Sequence, residues 1–65
     1  MSTVEVEVLR IGSETDDAVQ VFVAAPSEPD GERAVWLPFS HVHEINRSNP
    51  PTLRVSRWLA EKEDL

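Results

Sequence analysis

The chain has 65 residues, no cysteine, and 12 Asp+Glu against 6 Lys+Arg, a formal net charge of −6. One domain, residues 1–65, is the limit at this length, and a chain this short hides only roughly 60% of its unfolded surface, so a deep enclosed active site is not expected. Without cysteine there is no disulfide framework, no Cys-ligated zinc and no thiol catalysis. No apolar run approaches the ~20 residues of a membrane span, and the acidic start is unlike a signal peptide, which points to a cytoplasmic setting.

Apolar residues make up 40% of the chain, and they are patterned, as in a folded domain and unlike an acidic disordered tail. Residues 3–11, TVEVEVLRI, open with strict alternation. Val4, Val6 and Val8 share one face and Thr3, Glu5 and Glu7 the other, the signature of a half-buried strand. Leu9 and Ile11 then fall on the face of Glu5 and Glu7, which predicts a twist, a bulge or a strand end buried on both sides. Residues 12–17, GSETDD, have the composition of a turn. Residues 18–24, AVQVFVA, form a second strand, with Val19, Val21 and Val23 on one side, and an antiparallel hairpin is the simplest pairing.

Residues 25–32 form a loop with Pro26, Pro29 and an Asp30-Gly31 turn signal. Residues 33–37, RAVWL, make a third strand stopped at Pro38, which has no N–H to give a ladder. Residues 38–41 suit a turn, residues 42–45 a short fourth strand, residues 46–51 a loop, and residues 52–55 a fifth strand. Ser56 is placed as a helix N-cap. A C-terminal helix of one or two turns follows, docked through Trp58 and Leu59 and fraying at Glu61, Glu63 and Asp64. The expected architecture is mainly β with one short C-terminal helix. It is a bent antiparallel meander of four to five strands, either a small open barrel of SH3-like style or a sheet with the helix across one face. Trp36 is expected in the core, and Phe39 and Trp58 are the candidate exposed aromatic anchors.

Catalytic signals are lacking in the sequence. It contains no G-x-S-x-G, P-loop or G-x-G-x-x-G, and Ser40 beside His41 is not a dyad by adjacency. On a strand, His41 and His43 would share a face about 6.6 Å apart, but no third ligand accompanies them, so they read as surface histidines and no metal or other cofactor is expected. The reading is a protein that is not an enzyme.

Charge placement carries the functional lead. Up to Glu32 there are 8 acids (Glu5, Glu7, Glu14, Asp16, Asp17, Glu28, Asp30, Glu32) against Arg10 alone, a net of −7; the remainder has 4 acids against 5 bases, a net of +1. Such a body repels nucleic acid and anionic lipid and attracts basic surfaces. DNA presents about one phosphate per 3.4 Å on each strand, and a row of these eight carboxylates could occupy a Lys/Arg groove built for it. The expected partner is therefore the basic surface of a nucleic-acid-binding protein, not nucleic acid itself or a membrane. Two alternatives stand beside it: an accessory or adaptor domain that binds a replication or recombination protein through Phe39 and Trp58, and a weak nucleic-acid binder using Arg47, Arg54 and Arg57. Exposed sheet edges allow a monomer or a homodimer.

Residues 34–40, AVWLPFS, and 53–65, LRVSRWLAEKEDL, give the chain a resemblance to a group of small bacteriophage and prophage proteins. Their pattern is a strand ending Trp-Leu/Ile-Pro-x-Ser, a polar stretch, then Val-x-x-Trp-Leu/Ile-Ala-x-Lys. Trp36, Leu37, Pro38 and Ser40 match the first part, and Val55, Trp58, Leu59, Ala60 and Lys62 the second. The match covers about the last half of the chain. It departs at Glu63-Asp64, which stands where a glycine precedes the final leucine. The resemblance implies a phage or mobile-element origin and action in the cytoplasm of a bacterial host. By size, charge and source the chain is similar in kind to anti-CRISPR proteins, several of which are DNA mimics. The expectation is an inhibitor of a host nucleic-acid-binding defence complex.

Overall fold

The computed structural model describes residues 2–65. The chain runs β1 (Thr3–Glu7), β2 (Arg10–Glu14), β3 (Ala18–Ala24), β4 (Glu32–Pro38), a 3-10 turn (Phe39–His41), β5 (Val42–Asn46), β6 (Thr52–Ser56) and α1 (Arg57–Lys62). The strands form two antiparallel three-stranded sheets, ordered β1-β6-β5 and β2-β3-β4. The fold is thus mainly β with one short C-terminal helix, as the sequence predicts. It has six strands in place of four or five, and the sheets do not close into a barrel.

The sixth strand comes from the first hydrophobic run. It breaks at Val8 and Leu9 and passes from one sheet to the other. Val8 is buried, with its N–H on the Pro51 carbonyl at 3.0 Å; Leu9 is exposed and donates to the Phe22 carbonyl at 2.7 Å. The change of face at Leu9 marks this crossing. Beyond it, Gly12, Ser13 and Glu14 extend β2, although their composition reads as a turn, with a bulge between Ile11 and Glu14. Gly12 is what the close packing needs there: a Cβ on it would lie 2.7 Å from both the Gln20 side chain and the Phe22 ring.

One core joins both sheets and the helix. Val19, Val21, Val23, Val35 and Leu37 come from one sheet, Val6, Leu53 and Val55 from the other, and Leu59 and Ala60 from α1. Period two decides which side chains enter. In β4, Val35 and Leu37 point inward, so Trp36 is forced to the outer face, where it is 47% exposed. Trp36 is therefore not a core residue, contrary to the expectation from its size. Trp58 is 56% exposed as well, and α1 docks through Leu59 and Ala60 instead of Trp58 and Leu59.

The C-terminal end is closed. The Asp64 N–H reaches the Glu61 carbonyl at 3.3 Å, and the Leu65 N–H reaches that of Ala60 at 2.8 Å. Asp64 takes φ 59°, a left-handed position that favours glycine. This is a Schellman motif with aspartate in the glycine place, and Leu65 packs against the core beside it. The tail expected to fray thus lies against the body of the protein.

Candidate functional site

The outer face of the β1-β6-β5 sheet is a cross-strand charge ladder. Arg54 of β6 stands opposite Glu5 of β1 on one side and Glu44 of β5 on the other. Its Nε lies 3.9 Å from the Glu44 carboxylate. Glu7 stands opposite Thr52, with no cation across from it. Glu5 and Glu7 are both exposed and project to the solvent face because Val4 and Val6 take the inner one.

β1 is an edge strand. Along it runs an open groove of about 580 Å³, lined by Glu5, Val6 and Glu7, by the end of β3 and the loop after it, and by the C-terminal residues. Four acidic residues line it, Glu5, Glu7, Glu28 and Asp64, with one basic residue, Arg33. Arg33 is half-buried and donates from Nη2 to the Glu63 carbonyl at 2.8 Å, which ties the C-terminus to the groove wall. Val6, Val23, Pro26 and Leu65 give the groove an apolar lining under its acidic rim. A shallower recess beside it adds Glu61 and the cation Arg57. Asp64 and Glu61 were missed from sequence because the helix end was read as frayed. Leu65, seven residues after Trp58 in the helical stripe, packs against the core beyond the left-handed Asp64 and so holds the tail down.

The eight acids of the first half do not form one unbroken row. Glu14 is ion-paired with Arg47. Glu32 accepts two hydrogen bonds from Arg10, at 2.6 and 2.7 Å. That paired hydrogen bonding to Glu32 holds the Arg10 guanidinium above the ordinary arginine range, opposed by desolvation and aided by the charges of Glu32 and Asp30. The Arg10 guanidinium also sits 4.0 Å over the Phe22 ring. Asp16 and Asp17 occupy the β2–β3 tip, at one end of β3, whereas Glu28 and Asp30 lie in the loop at its other end. Seven residues of β3 separate the two groups by about 23 Å. Asp30 accepts the Glu32 N–H at 3.2 Å and shapes that loop. The first-half acids thus divide into a groove group (Glu5, Glu7, Glu28), a tip pair (Asp16, Asp17), a loop residue (Asp30) and two engaged by arginine (Glu14, Glu32).

Phe39 is not a free anchor: it lies half-buried against the core, in the 3-10 turn. Trp58 is accessible. Its ring lies 4.9 Å from that of His41, and the Lys62 ammonium sits 5.0 Å over it. His41 and His43 do not share a strand face. His41 is in the 3-10 turn, and His43 falls at the bulge between Val42 and Glu44. No group of three or more His, Asp or Glu able to hold a metal occurs among the described residues. Ser56 takes the N-cap position, but its hydroxyl makes no cap bond; it lies 3.0 Å from His41 Nδ1. Ser56 is 3% exposed and His41 half-buried, so the pair is a strut that ties the start of α1 to the 3-10 turn. Of the three arginines of the nucleic-acid-binding alternative, Arg47 and Arg54 stand beside carboxylates and Arg57 is exposed at the start of α1.

Comparison with protein-family models, curated proteins and solved structures finds no match.

Proposed function

We propose that this chain is a small, acidic, non-catalytic binding protein that occupies the basic, nucleic-acid-contacting surface of another protein. In the phage setting implied by its Trp36–Ser40 and Val55–Lys62 pattern, that partner is a host nucleic-acid-binding defence complex, blocked by DNA mimicry in the manner of an anti-CRISPR protein. The observation that carries this reading is the gathering of Glu5, Glu7, Glu28 and Asp64 around one open groove, against the single cation Arg33. With a net charge of −6, these groups steer a basic partner inward and repel free nucleic acid. Relative to the sequence expectation, the working surface narrows from eight carboxylates to the groove group, with Asp16 and Asp17 as an outlying second contact.

The test is charge reversal with the fold checked by circular dichroism. A Glu5→Lys, Glu7→Lys, Glu28→Lys variant should retain its strand signal and lose binding to the basic partner. Wild-type binding should weaken by orders of magnitude on going to several hundred millimolar salt, and duplex DNA should compete with it. The rival reading is an adaptor anchored through its aromatics, which the exposure of Trp36 and Trp58 favours. Its binding would survive high salt and charge reversal, and would fall on Trp36→Ala or Trp58→Ala substitution.

A further inference from the structure

The groove lies along the free edge of β1, whose outward backbone groups have no partner among the described residues. In an antiparallel pair, opposed residues alternate between those that exchange backbone hydrogen bonds and those that do not. The β1–β6 register pairs Thr3 with Ser56 and Glu7 with Thr52. Just outside it, the Arg57 N–H donates to the Ser2 carbonyl at 3.1 Å and the Val8 N–H to the Pro51 carbonyl at 3.0 Å. The even-numbered residues are therefore the bonded ones, and Val4 and Val6 spend their backbone groups on β6. The N–H and C=O groups of Thr3, Glu5 and Glu7 point the other way, out of the free edge. None of these three residues makes a backbone bond outside the ladder among the described residues.

We infer that the groove takes an extended basic peptide segment, added as a fourth strand along β1 with Lys or Arg at alternate positions. This inference rests on the acidic-groove reading above and specifies its ligand. Charge order across the sheet selects the occupant. Glu44, Arg54 and Glu5 alternate in sign from β5 to β1, so the next strand completes the ladder with a base opposite Glu5. A second base two residues along falls opposite Glu7, about 6.6 Å away on the same face. The residue between them points to the inner side, where Val6, Val23 and Leu65 supply apolar contact. A second copy of this chain is the wrong occupant: antiparallel pairing of β1 with itself about Val6 sets Glu5 against Glu7 twice. Main-chain bonds then give affinity and the alternate pockets give specificity, as in other strand additions.

Amide solvent-exchange rates measured by NMR test this. The probe is an acetylated, amidated heptapeptide, Thr-Lys-Val-Arg-Val-Lys-Thr. Its controls are the same sequence with Glu at the basic positions and the basic sequence N-methylated on alternate amides. At saturating basic peptide, the Glu5 and Glu7 amides should slow by about tenfold or more, while those of Val4 and Val6, already bonded, should not change. Both controls should fail to slow them. Binding of the basic peptide with shifts at Glu5, Glu7, Glu28 and Asp64 but no slowing at Glu5 and Glu7 overturns strand addition and leaves the acidic docking surface intact. Absence of binding at low salt overturns both. Slow exchange at Glu5 and Glu7 without peptide, relieved by dilution, assigns the edge to a second copy and overturns the proposal.

Discussion

Asp64 holds the left-handed position of the Schellman motif that ends α1, where a Cβ is strained and glycine is not. Asp64→Gly should raise stability by about 0.5–1 kcal/mol, read as a higher urea midpoint with an unchanged slope. The same change removes a groove carboxylate, so it should stabilise the fold while weakening capture of a basic partner. A stability gain paired with a binding loss separates the two roles of one side chain. Ser56 makes a second residue-scale case. Its hydroxyl bonds His41 and makes no cap bond, so Ser56→Ala should cost about 1 kcal/mol without loss of helical signal. A double-mutant cycle with His41→Ala should show coupling between the two positions; additivity would contradict the strut. Arg10 gives the pH case. Its folded value is held above the ordinary arginine value by the paired hydrogen bonds to Glu32, so its contribution is fully present below the unfolded value and is lost only as pH climbs through the raised one. Denaturation between about pH 6 and 10 should therefore show no slope from Arg10.

Among the elements, β3 and β4 were legible because Val19, Val21, Val23, Val35 and Leu37 alternate without interruption, and both observed strands lie within one residue of the predicted ends. β2 was not legible. Gly12, Ser13 and Glu14 have turn composition, and only pairing with β3, made possible by the missing Cβ of Gly12, draws them into a strand. The bulk of Trp36 predicts a core position, but the alternation that governs its strand sets it on the outer face. A turn after Pro38 predicts an exposed Phe39; the 3-10 turn instead packs it, half-buried, against the core. The helix was placed correctly, but its docking side chains were half wrong. Leu59 is the buried one, at 1% exposure. Leu59→Ala should cost about 2–5 kcal/mol, a large part of the roughly 3–10 kcal/mol expected for the whole chain. Thermal melting should show the variant largely unfolded at moderate temperature; a near-native melting temperature would contradict the docked helix.

At the scale of the molecule, net charge and surface aromatics give separate signals. Self-repulsion of −6 charges in a body 35 × 22 × 21 Å should make the protein more stable as salt rises. Both tryptophans are exposed, so fluorescence should be red-shifted and readily quenched by acrylamide; a blue-shifted, shielded emission would mean that Trp36 or Trp58 is covered, as by a second copy. The acidic imbalance was legible in the sequence, but its partition was not. Arg47 reaches Glu14 and Arg10 reaches Glu32 across 33 and 22 residues of chain, and such pairings depend on the tertiary fold. The measurement that tests the central claim most directly is competitive capture from a bacterial lysate. Immobilised wild-type protein and the Glu5→Lys, Glu7→Lys, Glu28→Lys variant are compared at low salt, with duplex DNA as the eluant. Capture of a nucleic-acid-binding protein by the wild type alone, released by duplex DNA, is the predicted result. Equal capture by the reversed variant, unaffected by DNA, would contradict the account.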